Sequence, residues 1–377
     1  MANISTTSFT NTFTVSTEVN ITNSEEDNTL SPLSLFEENK TTAEMIQEKM
    51  DTVQYVVCPT LLVFGILGNL STILTVSHVQ FHQMTSKFIL YALAISDSLL
   101  LLTNPFNQHF MQEIWGRDVR ALSSGGCKLF FVMYRTGKIS SSWFIVLVAV
   151  ERFIAIKFPL RVKRFLTKKT VCVAIATIYV MTFTLSGIWT FSTDVENQIC
   201  RADLSTPNNL RLHKAFVITG AACYSIAPIV ILMTLTPLII LNLYRSHRLR
   251  RDLRHSKIGR SAKNTSRVTI MLIGVVITYI ICVTPITLLL ILTFWTNEPI
   301  FDSQKTEYII FSGVASSFEQ MNHSSNFFVY IMCGRQFRER FFNMIRCSRK
   351  KIHGTESLTF ALGSNLDLKN RSTRRVS

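Results

Sequence analysis

The sequence predicts an all-α membrane protein, a seven-transmembrane helix bundle with a short amphipathic eighth helix at the inner membrane surface. Three observations predict this fold: seven apolar segments of membrane length, basic residues concentrated in alternate connections, and isolated polar residues inside the segments. A bilayer core about 30 Å thick needs about 20 helical residues. Backbone polar groups in lipid must be satisfied within their own segment, so a long apolar run there forms a helix.

The seven predicted spans cover residues 53–77, 88–111, 126–150, 170–191, 214–243, 268–294 and 306–332. The third and seventh are less apolar than the others. The third carries Arg135 and Lys138, and the seventh carries Glu319, Gln320 and His323. Charges are costly in a bilayer, so these two spans are the first places to look for function.

The chain divides into four predicted domains. Residues 1–52, rich in Ser, Thr, Asn and Glu, are predicted to be a disordered extracellular tail, glycosylated at the N-x-S/T sequons of Asn3, Asn20 and Asn39. Residues 53–332 form the membrane domain, residues 333–347 the amphipathic interfacial helix, and residues 348–377 a disordered cytoplasmic tail. Residues 1–10 lack the pattern of a signal peptide, so we expect the first span to target the membrane itself.

The net charge of +15 reflects topology rather than nucleic-acid binding. Basic residues cluster in the connections after spans three, five and seven, whereas acidic residues cluster before span one and after span four. The positive-inside rule then places the N-terminus outside and the C-terminus in the cytoplasm, which requires an odd number of spans. We expect a multi-pass protein of the plasma membrane.

Two of the eight cysteines are predicted to form a disulfide. Cys127 begins span three and Cys200 follows span four, so both lie on the outer side, where thiols are oxidised. The cysteines in or at the spans are predicted to be buried free thiols: Cys58, Cys172, Cys223, Cys282 and Cys333.

Polar residues inside the spans form two candidate groups. Asp97 lies mid-span, and oxygen- or amide-bearing residues occupy the middle of three other spans: Asn69, Ser141, Asn322 and Asn326. Such a group can hold a small hard cation or water, or it can link the helices; both readings stay open.

The second group contains charges. Arg135 and Lys138 share one helix face, and Glu319 lies in the outer half of span seven. Three alternatives remain: an internal ion pair, direct contact with a ligand, or a position of Arg135 at the interface. Prolines also interrupt the spans, at Pro285 among others, and each is either a packing feature or a hinge.

Several motifs together resemble the rhodopsin-like (class A) G-protein-coupled receptors over residues 53–346. The motifs are Gly68-Asn69, Leu93-Ala94-Ile95-Ser96-Asp97, the pair Cys127 and Cys200, Glu151-Arg152-Phe153, Cys282-Val283-Thr284-Pro285, and Asn322 followed by Asn326-Phe327-Phe328-Val329-Tyr330. The chain departs from the family pattern at five positions. Val283 replaces a tryptophan, Phe327 a proline, Tyr179 a tryptophan, Phe153 a tyrosine and Thr265 an acidic residue.

The resemblance implies a receptor most similar to neuropeptide receptors. Tyr134 stands where aminergic receptors have an aspartate, and Gln320 where opsins have a lysine. The implied ligand contacts are Tyr134, Arg135, Lys138, Glu319 and Trp295. An orphan chemosensory receptor of the same fold is the alternative.

The resemblance also implies the switches and partners. Activation is expected to use Glu151, Arg152, Pro285 and Tyr330, with an allosteric sodium ion in the network of Asp97, Ser141, Asn322 and Asn326. Expected partners are an extracellular peptide, a heterotrimeric G protein, an arrestin-like uncoupling protein and membrane lipid, with Cys347 as a palmitoylation site. No enzyme activity and no other cofactor are expected. A secondary transporter is disfavoured because the two halves of the chain show no self-similarity.

Overall fold

The computed structural model describes residues 32–77, 85–103, 111, 114–159, 161–196, 198–203, 206–251, 258–295, 306–335 and 337–346. Seven long helices dominate these residues: α1 (Pro32–Ser77), α2 (Ser86–Thr103), α3 (Ser124–Lys157), α4 (Lys168–Trp189), α5 (Pro207–Ala221 and Ala227–Arg251, joined by the π-helical segment Ala222–Ile226), α6 (Ile258–Trp295) and α7 (Thr306–Cys333). A shorter helix, α8, covers residues 337–346. Single turns in the connections are Val119–Leu122, Val162–Phe165 and Thr190–Ser192. Each predicted span overlaps one long helix.

Within the described residues, six helices, α1 to α6, are long and apolar enough to cross a membrane. The seventh has the length, with 28 residues, but is not among those six. The reason is a run of buried polar side chains: Glu319, Gln320, Asn322, His323, Ser324 and Asn326. The polar residues of α7 therefore face the interior of the bundle, as is usual for polar groups at membrane depth.

Helix α1 begins at Pro32, whereas the sequence predicts a span from residue 53 and a disordered tail before it. Residues 43–50 are mostly strong helix formers, and extending an existing helix avoids the cost of nucleating a new one. The helix therefore continues into the segment predicted as tail. Asn39 lies in this extension with its side chain outside the described residues, and Asn3 and Asn20 lie outside them altogether.

Helix α3 lies at the centre of the bundle, packed against α2, α4, α5 and α6. Its contact with α2 is close at Gly137, where a Cβ would lie 3.1 Å from both the Ser96 carbonyl oxygen and the Leu100 amide nitrogen. Helix α7 packs against α1, α2 and α6. This arrangement brings polar residues of α2, α3 and α7 to one place.

The π-helical segment of α5 is tied to two neighbouring helices. Trp143 on α3 donates its indole N–H to the Cys223 carbonyl at 3.0 Å. Tyr279 on α6 donates its hydroxyl to the Tyr224 carbonyl at 2.9 Å. A π-helical turn interrupts the regular ladder of backbone hydrogen bonds, so its carbonyls are open to side-chain donors. The segment thus connects α5 to both α3 and α6.

A β-hairpin lies between α4 and α5. Strands β1 (Thr193–Glu196) and β2 (Ile199–Ala202) pair antiparallel, with Val195 opposite Cys200. The predicted disulfide is confirmed: Cys127 near the start of α3 is bonded to Cys200 on β2. The hairpin is therefore fixed to the beginning of α3, and we call this side of the molecule the hairpin end.

Helix α8 packs against the end of α7. Phe337 is buried and lies 5.4 Å from Tyr330 and 6.0 Å from Phe327, measured between ring centroids. Phe341, one turn further, lies 5.1 Å from Phe327. Phe327 therefore fills the space between α7 and α8. Cys347 lies outside the described residues.

Candidate functional site

The predicted charged and polar residues within the spans fall mainly into three groups along α3. Lys138, Ser141 and Arg152 lie on one face of this helix, because residues 141 and 152 are close to three full turns apart. At 1.5 Å per residue, Lys138 and Arg152 are about 21 Å apart along the axis. We call the groups the hairpin-end cluster, the middle cluster and the Arg152 cluster, in that order.

The hairpin-end cluster contains an ion pair between α3 and α7. Lys138 Nζ lies 2.7 Å from Glu319 Oε1, and the two side chains retain 20% and 11% of their exposed area. The ammonium also lies 4.4 Å from the ring centroid of Tyr224 on α5 and 5.6 Å from that of Tyr134. The cluster thus joins α3, α5 and α7 and remains in partial contact with solvent.

Arg135 is placed differently from Lys138, one turn nearer the hairpin end. Its guanidinium carbon lies 3.8 Å from the ring centroid of Trp189 and 4.8 Å from that of Phe131. Its Nη1 atom is buried and has no hydrogen-bond partner among the described residues. A cation held between aromatic faces is favourable, but it leaves the hydrogen-bonding capacity of the guanidinium unused.

Gln320 and Trp295, two further residues singled out by the sequence, differ in what the structure describes of them. Gln320 is buried, and neither atom of its amide has a hydrogen-bond partner among the described residues. Trp295 is the last residue of α6, and its side chain lies outside the described residues. Its predicted ligand contact stays a prediction.

The middle cluster is centred on Asp97, whose side chain is fully buried. Oδ1 accepts a hydrogen bond from the Ser141 hydroxyl at 2.6 Å and lies 2.8 Å from His323 Nδ1. Oδ2 accepts from the Asn326 side-chain amide at 2.7 Å. The carboxylate on α2 is therefore bonded to α3 once and to α7 twice.

The other predicted members of the middle cluster do not join this network. Asn322 is 1% exposed, and neither its side-chain nitrogen nor its oxygen has a hydrogen-bond partner among the described residues. Asn69 is equally buried, and its side-chain nitrogen has no such partner in the same part of the chain.

The Arg152 cluster links α3 to the start of α2. Arg152 forms an ion pair with Glu151, with 2.8 Å between Nη2 and Oε2, and also donates to the Ser86 hydroxyl. Glu151 Oε1 accepts from Ser86 at 2.8 Å and from Thr85 at 2.9 Å. Glu151 and Arg152 are thus both buried, so their ion pair is not a solvent-exposed surface contact.

Comparison with known proteins identifies the family. The family described as 7 transmembrane receptor (rhodopsin family) matches residues 68–322. The chain belongs to this family. The match includes all three clusters except His323 and Asn326, and it confirms the resemblance inferred from the motifs.

Relatives of this receptor include receptors named for a growth hormone secretagogue, for neuromedin-U and for C-C chemokines. Growth hormone secretagogue receptor type 1 from Sus scrofa is 34% identical over 130 residues, 34% of this chain and 35% of that receptor. Neuromedin-U receptor 2 from Mus musculus is 24% identical over 307 residues, 79% of this chain and 76% of that receptor. C-C chemokine receptor type 3 from Macaca mulatta is 34% identical over 93 residues, about a quarter of each chain. The first of these alignments spans about a third of the relative's length.

The departures of this receptor from the family pattern have visible structural consequences. Tyr179, at the predicted tryptophan position, donates its hydroxyl to the Ala92 carbonyl at 3.0 Å and lies 2.9 Å from the Ser96 hydroxyl. Val283 is fully buried beside Pro285 in α6. Thr265 has its side chain outside the described residues. Tyr179 therefore keeps a polar link between α4 and α2 with a different donor.

Several residues of the receptor's clusters are absent from the predicted site residues, His323 and Trp189 among them. The sequence marks His323 only as a polar residue of span seven, although its spacing of three from Asn326 indicates a shared face. Trp189 carries no sequence signal for its place over Arg135, because it comes from a different helix. Both positions follow from packing rather than from local pattern.

Polar contacts also hold the hairpin end of the receptor together. Asp118 is buried, accepts from the Cys200 backbone N–H at 3.1 Å, and forms an ion pair with Arg120 at 2.8 Å. Asp194 on β1 is exposed and accepts from the Ser124 hydroxyl at 2.8 Å. This hydrogen bond and that from the Val195 N–H hold the pKa of the Asp194 carboxyl below its ordinary value. The hairpin is thus fixed by polar contacts as well as by the disulfide.

Proposed function

We propose that this chain is a G-protein-coupled receptor that binds an extracellular peptide and activates a heterotrimeric G protein. The rhodopsin-family match supports the receptor class. The names of two relatives, neuromedin-U receptor 2 and growth hormone secretagogue receptor type 1, support a peptide ligand. The main evidence for a ligand-binding site is the Arg135 guanidinium. It is stacked on Trp189 and has a buried N–H group without a partner among the described residues.

The proposed receptor lies in the plasma membrane with its hairpin end outside. The disulfide between Cys127 and Cys200 supports this orientation, because such bonds persist in oxidising compartments. The basic connections at the opposite end agree with the positive-inside rule. The sequons at Asn3, Asn20 and Asn39 would then be accessible to glycosylation.

The ligand in this proposal places an acidic group against Arg135. Lys138 is already paired with Glu319, so these two charges offset each other, whereas the charge of Arg135 is not offset by an ion pair with a described residue. A guanidinium offers paired donors that match a carboxylate. Tyr134, the preceding residue of α3, and the unpartnered amide of Gln320 on α7 could contact neutral parts of the peptide.

Activation in this proposal is a shift between two arrangements of helices. A ligand shifts such an equilibrium only by binding one arrangement better than the other. A peptide that reaches Arg135 lies one turn from the Lys138–Glu319 pair, so it can alter the contact of α3 with α7. The moving element would be α6, pivoting at Pro285, with Tyr330 of α7 repacking at the opposite end.

Outward movement of α6 would expose the Arg152 cluster and open a groove for a helix of the G protein. The basic connections beside this groove suit anionic lipid, and Cys347 is positioned after α8 for palmitoylation. Phosphorylated Ser and Thr residues of the C-terminal tail would recruit an arrestin-like uncoupling protein.

The test is a screen of amidated and free-acid neuropeptides on cells expressing the receptor, read by calcium and cyclic AMP together. We expect agonists to carry an acidic group. Replacing Arg135 by Gln should lower their potency about 10- to 100-fold, the effect of losing one charge-assisted hydrogen bond of about 1.5–3 kcal/mol. Surface expression measured in parallel separates loss of binding from loss of folding.

A peptide whose acidic group is converted to an amide is the matched control. Converting the acidic group to an amide should lower the potency of the peptide on the wild-type receptor. On Arg135→Gln the same conversion should lower potency little, because the interaction with Arg135 is already absent. Equal losses on both receptors would remove Arg135 as the anchor. If small organic compounds activate the receptor and no peptide does, the chemosensory alternative would replace the peptide proposal.

A further inference from the structure

The surroundings of Asp97 differ from those that a sodium ion requires. The resemblance to the family implies an allosteric sodium ion in the network of Asp97, Ser141, Asn322 and Asn326, where oxygen atoms would hold it. A small hard cation is bound through oxygen lone pairs that point at it. These residues fit the ion only if they direct oxygen lone pairs, rather than N–H or O–H groups, towards the space beside Asp97.

The neighbours of Asp97 present donors rather than oxygen lone pairs. Ser141 directs its hydroxyl hydrogen at Oδ1, at 2.6 Å between the oxygens. Asn326 presents its NH₂ group to Oδ2 at 2.7 Å. The side-chain amide of Asn322 forms no hydrogen bond with another described residue. The predicted set of oxygen ligands is thus not assembled around one point.

The imidazole of His323 takes the space that remains. Its Nδ1 atom lies 2.8 Å from Asp97 Oδ1 and 3.4 Å from the Ser141 hydroxyl oxygen, so it is close to two of the predicted ligands at once. The side chain has no exposed area. A cation could approach Oδ1 only if the ring moved, and a fully buried ring in a packed interior has little room to move.

We propose that the His323 imidazole takes the place of a cation at Asp97, so that α2, α3 and α7 are linked without a sodium ion. Two donors of α7, His323 and Asn326, and one donor of α3, Ser141, complete this link. The residues therefore do not fit the sodium ion that the resemblance implies. The receptor's stability is then independent of sodium.

The test compares the thermal unfolding of the purified receptor in sodium chloride and in choline chloride at equal ionic strength and fixed pH. An ion that binds only the folded state at concentration c adds RT ln(1 + c/Kd) to the free energy of unfolding, so the unfolding temperature rises with the logarithm of its concentration once the concentration exceeds Kd. For each receptor we take the difference in unfolding temperature between sodium chloride and choline chloride. The quantity of interest is how much of this difference is lost in the Asp97→Asn variant. We expect this part to be zero, and a sodium-specific rise that depends on Asp97 and grows with the logarithm of the sodium concentration would overturn the proposal. No agonist is needed, so the result stands apart from the proposed ligand.

His323→Ser tests the role of the ring directly. Serine is small and offers an oxygen, so this variant should gain a sodium-specific rise in unfolding temperature that Asp97→Asn abolishes again. A folded His323→Ser receptor without that rise would show that the imidazole is not what excludes the ion. If the variant does not fold, the wild-type comparison with Asp97→Asn decides the proposal alone.

Discussion

The hairpin-end cluster and the middle cluster use the same two helices but are built in opposite ways. Lys138 and Ser141 are one turn apart on α3, and Glu319 and His323 are one turn apart on α7. In the middle cluster, the carboxylate of Asp97 has no exposed area and receives three donors. In the hairpin-end cluster, the ion pair keeps part of its exposed area, and the neighbouring Arg135 has an unused buried donor.

The difference separates a structural link from a site that can respond. A buried charge whose partners are complete has nothing to gain from a ligand, and losing one partner is costly. A partly exposed charge can exchange partners at a lower cost because water remains available. Along one face of α3, two kinds of cluster thus lie a single turn apart. The hairpin-end cluster is partly exposed, and we call it the open cluster; the middle cluster is fully buried, and we call it the closed cluster.

The largest expected effect comes from breaking the closed cluster. His323→Leu keeps a side chain of similar size but removes a donor from a fully buried carboxylate. We expect a loss of about 3 kcal/mol in stability, at the lower end of the cost of leaving a buried charge short of a partner, because Ser141 and Asn326 remain. Thermal unfolding of the purified receptor and surface expression both measure it.

Two variants define what this loss means. Ser324→Ala, at the next position of α7, removes a hydroxyl that bonds only to the Met321 carbonyl of its own helix, so it should change stability little. In an Asp97→Asn background, His323→Leu should cost much less, since the charge is gone. An undiminished cost in that background would mean that the ring matters for its packing and not for its bond to Asp97.

Sequence pattern predicted the members of these clusters better than their bonds. The spans, the disulfide and the shared face of Arg135 and Lys138 follow from apolar runs, compartment and helical spacing. The pairing of Lys138 with Glu319 rather than Arg135 with Glu319 depends on how α3 and α7 are rotated, which packing decides. His323 illustrates the same limit, because a polar residue in a polar run gives no sign of which neighbour it meets.

A smaller effect is expected from the open cluster. Lys138→Met and Glu319→Gln each leave one charge without its partner, and we expect each to cost about 1–2 kcal/mol because both side chains keep some exposed area. The double variant should recover much of this loss, since no unpaired charge remains. Thermal unfolding of the wild type, the two single variants and the double variant gives the coupling energy between Lys138 and Glu319. Simple additivity of the two losses would contradict a functioning ion pair.

The smallest effect should come from a carboxylate in water at the hairpin end. Asp194 is exposed, and its hydrogen bond from Ser124 helps to hold its pKa below the ordinary value. Because the folded state favours the ionised form, this stabilisation is present above about pH 4 and is lost as the pH falls through the lower folded pKa. Ser124→Ala should lower stability by less than about 1 kcal/mol at neutral pH.

The pH dependence of that small loss is what distinguishes its cause. The difference in unfolding temperature between the wild type and Ser124→Ala should shrink as the pH is lowered from about 5 to about 3, because protonated Asp194 no longer benefits from the same hydrogen bond. Asp194→Asn combined with Ser124→Ala should remove this pH dependence. A difference that stays constant across the range would assign it to the start of α3 instead, where Ser124 is the first helical residue.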